Sequence, residues 1–479
     1  MLFDRTSYCR TVFVLRRSGK TRMWSVQIRA FSVQQSAFSL SLPVLCLVPF
    51  DFWISPRWKA FNRLVSYNGN LRKLSAASKL TLGKRWKAKM HIPDGYLSPS
   101  TCAVLYGASV PFWYVALRRV KKFLATRLVP LLSVVAALAF VIMMFNLPLP
   151  GGTTGHAVGV AIATIILGPW ASILAISIAL LIQAAFFGDG GITTLGANCF
   201  NMAIVGSLVS YAVYRVAAGR TALTSSRRVV AAALAGYTAI NAAAFCAAVE
   251  FGIQPLFFKD PNGAPLYAPY ALSIAIPAMM IGHLTFAGLA ELVLSAGVVA
   301  YFQRTDTSLL KLTAPGALPA DQESRPAPSQ STWSTVRPLA TALALLLALT
   351  PLGILAVGTA WGEWSARDFS NPHTREKIAA ASRNAAPPVR APHGLERLYS
   401  VWTAPFPQYA PAFVRRPAVG YALSATFGSG MIILVFLIAG SLAFRGRRQS
   451  SSAGSNMTAA SDPTPIPASR DPALPKGEG

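Results

Sequence analysis

Val129-Pro-Leu-Leu-Ser-Val-Val-Ala-Ala-Leu-Ala-Phe-Val-Ile-Met-Met-Phe-Asn-Leu147 carries no charged residue. Its length matches the roughly 20 residues that a helix needs to cross a bilayer. Gly151-Gly152-Thr153-Thr154-Gly155-His156 follows as a turn, and then two more apolar runs, 157–167 and 171–187, separated by Gly168-Pro169. Gly and Pro punctuate helices, and the runs between them contain no Asp, Glu, Lys or Arg. This is the pattern of helices in lipid.

The pattern continues in both directions. Upstream, 101–117 is apolar and stops at Arg118-Arg119-Val120-Lys121-Lys122. Downstream come a second Gly-rich loop, 188–198, and apolar runs at 200–216, 229–251 and 268–302, the last with a bend expected at Pro277. Two further runs, 339–357 and 419–444, follow a polar, Pro-rich stretch. The chain therefore reads as an all-α integral membrane protein of about nine spans: seven in one bundle, then a two-span C-terminal domain. Composition agrees. The 479 residues are 53% hydrophobic and 13% charged, about half the charged share of a soluble domain, with a mean hydropathy of +0.45.

The formal charge of +27 invites a nucleic-acid reading, but its distribution does not. Roughly fifteen of the net positives lie in residues 1–89, and most others sit in short loops. Those loops orient the chain by the positive-inside rule. The basic groups 118–122, 215–228 and 304–311 follow the first, fifth and seventh spans, so they share one side if spans alternate. That side is the cytoplasm. Met90, both Gly-rich loops and the segment 361–417 then face outward across a bacterial inner membrane. Expected boundaries are 90–304 for the seven-helix domain, 305–336 for a cytoplasmic linker, 337–448 for the C-terminal domain and 449–479 for a disordered tail.

On the outer side stands Met90-His91-Ile92-Pro93-Asp94-Gly95. At a free N-terminus, Met-His is a chelator. The terminal amine, the backbone nitrogen of His91 and its imidazole Nδ1 close two fused rings around one ion. One more imidazole completes a planar four-nitrogen set, which suits Ni(II), Cu(II) or low-spin Co(II) better than tetrahedral Zn(II). His156, in the Gly-rich turn on the same side, is the available partner. Two histidines do not define a site by themselves. On spacing alone, His156 capping the third helix and His91 lying at the surface remain open.

Other polar residues are candidates for support. Asp94, Asn198 and Asn201 could orient an imidazole or satisfy loop backbone. Glu250, His283 and Glu291 fall in spans, where ionisable groups usually face the bundle interior. His283 and Glu291 are about 12 Å apart along a helix, so each is expected to bond a neighbouring helix, in a structural or coupling role. The five Cys (9, 46, 102, 199 and 246) are isolated and signal neither a zinc site nor disulfides. Ser18-Gly19-Lys20-Thr21 resembles the end of a phosphate loop, but Val14 stands where the first Gly is required. No HExxH, GxSxG or Walker motif occurs, so catalysis and ATP hydrolysis by this chain are not expected.

Met90–Ser98, Gly155-His156-Ala157, Gly196-Ala197-Asn198-Cys199-Phe200-Asn201-Met202, Glu250–Pro255 and the helix bearing His283 and Glu291 resemble the CbiM/NikM family. These are the substrate-binding membrane subunits of energy-coupling-factor transporters for cobalt and nickel. The resemblance covers about 90–304. It implies a seven-helix bundle with the N-terminus inserted into it. It also implies metal ligation by the amine of Met90, the amide and imidazole of His91 and the imidazole of His156. Residues 339–444, through Gly358–Trp364, Pro392–Leu398 and Trp402–Tyr409, resemble the fused partner domain of the nickel branch, in which His393 stands at a usual Asp.

The expectation is a metal-binding subunit for uptake of Ni2+ or Co2+ as transported substrate, with no organic cofactor. Its partners would be a transmembrane coupling subunit, ATPase subunits and the lipid bilayer, not nucleic acid. It would supply cobalamin biosynthesis or nickel enzymes. The alternatives are a membrane-bound metal sensor or assembly factor, and a secondary transporter coupled through Glu250 or Glu291. In this family the chelating Met is the translation start, so the functional protein is expected to begin at Met90, with residues 1–89 arising from an upstream start assignment.

Overall fold

Pro148 and Pro150 decide how the first long apolar stretch ends, because proline removes the amide a helix needs. The helix stops at Met143, and Leu147–Leu149 turns back as a strand paired antiparallel with Thr153–Gly155. The Gly-rich stretch is thus half of a short hairpin, not a bare turn. The structure is a computed structural model that describes residues 11–17, 20–26, 91–124, 129–149, 152–314, 317, 332–356 and 358–459.

The chain divides into two units, Met1–Arg85 and Trp86–Gly479. In the first, β1 (Thr11–Arg17) and β2 (Lys20–Val26) pair antiparallel, with Arg17 opposite Lys20. The apolar run at 39–54, and Met90 itself, lie outside the described residues.

Among the described residues, the named elements of the second unit are helical apart from the hairpin of β3 (Leu147–Leu149) and β4 (Thr153–Gly155). Its helices are α1 (Pro99–Leu124), α2 (Val129–Met143), α3 (Val160–Leu167), α4 (Pro169–Phe187), α5 (Leu195–Ala218), α6 (Ser226–Phe257) and α7 (Leu272–Thr305). Then come α8 (Thr332–Leu349), the short α9 (Ala366–Ser370), α10 (Pro372–Ala381) and α11 (His393–Leu398), and last α12 (Pro417–Ala459). The nine apolar runs all become helices. Seven of them, α1, α4–α8 and α12, are long and apolar enough to cross a membrane. The run expected at 157–167 shortens to the eight residues of α3. Its helical part, about 12 Å long, is shorter than a core of about 30 Å. Gly159 (φ 72°) and Gly168 (φ 78°) break the backbone at both its ends. It is buried from Val160 to Ile166 and packs against α4, α5 and α6.

Two boundaries differ from expectation at the polar segments. The start of the linker, Thr307–Thr313, is a 3-10 turn whose Leu309 and Leu310 are buried in the main core; these apolar residues bury surface that an extended linker would leave wet. The last helix runs past Gln449 to Ala459. The Ser/Ala-rich tail holds no proline before Pro463 to stop it.

Two apolar clusters hold this unit together. The larger surrounds α2, α3 and α4, and takes in Tyr409, Tyr421 and Phe436 from the C-terminal segment. The smaller gathers Ile92, Tyr96 and Leu97 with Phe251, Tyr270, Trp361, Trp364, Phe369 and Leu395. The segment after residue 90 is therefore packed between the bundle and the residues that join α8 to α12.

Candidate metal centre

The segment that carries His91 has no regular structure, so other groups must satisfy its backbone. Ile92 N–H donates to Asn198 Oδ1 at 3.0 Å, and its carbonyl accepts from Asn198 Nδ2 (3.1 Å), Gly191 N (2.9 Å) and Thr194 Oγ1 (2.5 Å). The Asp94 carboxylate accepts from Thr193 N (2.7 Å), Thr193 Oγ1 (2.5 Å) and Ile192 N (3.3 Å). Asn198 and Asp94 therefore fix backbone on both sides of this contact. Asn201 donates to Glu250 Oε2 at 2.9 Å, a bridge between α5 and α6. Through these hydrogen bonds the three polar candidates hold the loop and the helices around it together.

Tyr96 seals the loop from the other side. Its hydroxyl donates to Trp364 O at 2.8 Å, and its ring packs 5.7 Å from that of Phe251. Burial, reinforced by Asp368 and Glu363, pushes its pKa well above the usual phenol range, so it stays a donor.

His91 emerges from this clamp 2% exposed. Neither of its ring nitrogens has a hydrogen-bond partner. Nδ1 lies 3.2 Å from Asp189 Oδ1 but off the line of a hydrogen bond. A buried imidazole without a partner costs free energy unless something else occupies its lone pair. His156 follows β4, also buried. Its Nδ1 lies 2.9 Å from Ala157 O; a carbonyl only accepts, so Nδ1 carries the proton and Nε2 the lone pair. Just beyond, Glu291 Oε2 accepts from Val158 N (2.7 Å) and Gly159 N (2.9 Å). A carboxylate from α7 thus anchors the N-terminus of α3, where the helix dipole favours it, and so anchors the segment that bears His156.

The two rings are 5.1 Å apart between centroids and inclined at 71°. Two imidazoles on one ion, each at about 2 Å from it, have centroids about 4–6 Å apart. The pair fits a shared ion. Among the described residues no group of three or more His, Cys, Asp or Glu is placed to hold a metal, so further donors must be of another kind, such as backbone or terminal nitrogen.

Both rings line a cavity of about 330 Å³. His283 lines it too, with Nδ1 2.9 Å from Met279 O. His283 therefore bonds its own helix and not a neighbour, contrary to expectation, because Met279 lies one turn back on the same face. Glu291 does bond another element, as expected. His393 is exposed and opens α11. Cys102 and Cys199 are buried free thiols, and Cys246 is partly buried and free.

Sequence reasoning missed Asp189. It sits in the Gly-rich loop after α4 and is buried beside His91. Only its neighbours Gly188, Gly190 and Gly191 marked the place.

Helices long and apolar enough to cross a bilayer, with two buried imidazoles lining one cavity, define a polytopic membrane protein. Residues 91–309 match the CbiM family, described as a cobalt uptake substrate-specific transmembrane region, and residues 336–445 match the PDGLE domain. The fused nickel transport protein NikMN of Rhodobacter capsulatus is 54% identical over 344 residues, covering 72% of this chain and 95% of that protein. The probable fused nickel transport protein LarMN of Lactiplantibacillus plantarum is 40% identical over 356 residues, covering 73% and 97%. A crystal structure of a transition metal transporter is 49% identical, covers 47% of this chain and 98% of that one, and superposes with a TM-score of 0.42. This chain belongs to the CbiM family and carries a fused PDGLE domain.

Proposed function

We propose that this protein is the metal-binding membrane subunit of an uptake system for Ni2+ or Co2+. The observation that carries the reading is the buried His91–His156 pair, 5.1 Å apart, with both His91 nitrogens lacking hydrogen-bond partners. In this reading the ion is held by the amine of Met90, the amide nitrogen and Nδ1 of His91, and Nε2 of His156. The relatives named for nickel transport span both the bundle and the C-terminal segment, which favours nickel.

The amine requires a chain that starts, or is cut, at Met90, and we place the functional N-terminus there. The bundle (90–304) supplies the site. The C-terminal domain (337–448) closes over it: Trp361, Trp364 and Leu395 packing on Ile92, Tyr96 and Leu97 supports a role in keeping the chelating loop docked. A coupling subunit and ATPase subunits would drive release. The site faces outward in this reading, on the side opposite the basic loops. Glu250 and Glu291 are bound to Asn201 and to the backbone of α3's N-terminus, which favours structural roles over ion coupling.

The test is His156→Ala. Loss of an outer partner alone weakens metal sites by about 10–100-fold, so loss of a ligand should weaken Ni2+ binding by more than about a hundredfold while the protein still inserts. His283→Ala should leave the stoichiometry of one ion unchanged. Parent-like affinity in His156→Ala would sink the four-nitrogen site.

A further inference from the structure

We propose that the C-terminal segment sets the charge beside the proposed ligand nitrogen of His91, through the hydroxyl of Tyr409, which orients the carboxylate of Asp189. The proposal rests on the metal-site reading above. Tyr409 stands in the loop before α12, more than two hundred positions from Asp189 in sequence. Gln408 and Tyr409 hold φ values of 58° and 56°, a left-handed region that non-glycine residues seldom adopt. Such residues persist where their surroundings over-determine them. Here the ring of Tyr409 stacks on Phe187 (centroids 4.6 Å apart, 22° between planes), and Ser424 Oγ donates to its carbonyl at 3.1 Å.

The direction of the hydrogen bonds is fixed by chemistry. Gln183 Nε2 donates to the Tyr409 oxygen at 3.0 Å. The phenolic hydrogen is left to donate to Asp189 Oδ2, at 2.7 Å. Asp189's backbone N–H donates to Gln183 O at 3.1 Å, which ties the loop to the end of α4. The other carboxylate oxygen, Oδ1, then faces His91 Nδ1 at 3.2 Å. Gln183, Asp189, Tyr409 and His91 are all at most 2% exposed.

Packing alone does not account for this arrangement. A phenylalanine would fill the stack on Phe187 equally well. Burying a carboxylate is costly unless it is paired and hydrogen-bonded, and here the hydroxyl supplies the bond. A divalent ion held by two neutral imidazoles, a neutral amine and a deprotonated amide keeps one positive charge. Asp189, oriented by Tyr409, is the buried anion beside it.

The experiment compares Tyr409→Phe with Tyr421→Phe in the protein made from its native gene. Both variants lose one buried hydroxyl from the C-terminal segment and keep the ring; Tyr421 packs 5.4 Å from the Tyr409 ring, but its one hydroxyl hydrogen goes to Met144 O at 2.6 Å and not to Asp189. Ni2+ affinity is read by competition with a chromogenic chelator, and the ligand field by the visible absorption of bound Ni(II). Tyr409→Phe should weaken affinity about 10–100-fold, as removal of outer partners does, and shift the absorption band; Tyr421→Phe should do neither. Equal weakening in both with an unshifted band would mean that the segment acts by packing, and would overturn the proposal. So would parent-like behaviour of Tyr409→Phe in a protein that His156→Ala inactivates. If His156→Ala itself binds normally, the metal site is the reading that fails. Should Tyr409→Phe not insert, Asp189→Asn replaces it: the acceptor for Tyr409 remains and the charge goes, so the same loss and shift are expected, and their absence overturns the proposal.

Discussion

Gly95 shows at a single residue how tightly the loop that carries His91 is held. Its φ is 88°, and a β-carbon there would lie 2.6 Å from Gly394 O and 2.7 Å from the α-carbon of Leu395. On the opposite side, a β-carbon at Gly191 would meet the Asp94 carboxylate at 2.3 Å. The loop fits only because neither residue has a side chain. Gly95→Ala should therefore undock it. The left-handed backbone alone costs about 1–2 kcal/mol, near a factor of ten in affinity, and the clash with α11 adds to it. Ni2+ affinity by competition titration should fall by about tenfold or more; an unchanged value would mean the loop does not need this contact. At this scale the sequence was informative where the chemistry is local. Met90-His91 reads as a chelator from its own atoms, and His156 stood out as an imidazole in a Gly-rich stretch. Asp189 and Tyr409 were silent, because a pair so far apart in sequence has meaning only after folding. Asp94 and Asn198 looked like partners for an imidazole and bond backbone, Asn198 that of Ile92 and Asp94 that of Ile192 and Thr193.

Among elements, apolar periodicity and Gly/Pro punctuation placed every long helix in the bundle, because lipid leaves the backbone no alternative to internal hydrogen bonds. What they could not show is where helices widen. Among the described residues three π turns occur, one closing α4 at Gln183–Phe187 and two inside α5 and α7, at Cys199–Val205 and His283–Ala287. Such bulges gather at functional sites. Here they carry Gln183, which bonds Tyr409, and Asn201, which bonds Glu250, while His283 lines the cavity. An extra residue per turn is invisible in composition. The hairpin of β3 and β4 was legible in principle, since Pro148 and Pro150 forbid a helix there. The shortness of α3 follows from glycines on both flanks, whose left-handed φ values the sequence permits but does not require.

At the scale of the whole molecule, the proposed orientation follows from charge. A reporter active only in the cytoplasm should be active when fused after Lys122 and silent when fused after Gly155; the reverse would turn the site to face inward. In the proposed metal site, a free amine at Met90 completes the ligand set. This assignment is tested most directly by native mass spectrometry of the purified protein expressed from its own gene, which reads the chain's starting residue and its bound metal together. The spectrum should show a chain beginning at Met90 that carries one Ni2+ or Co2+ ion, with a metal-free state when His156 is replaced by Ala. A metal-loaded, uptake-competent chain that retains residues 1–89 would contradict the assignment.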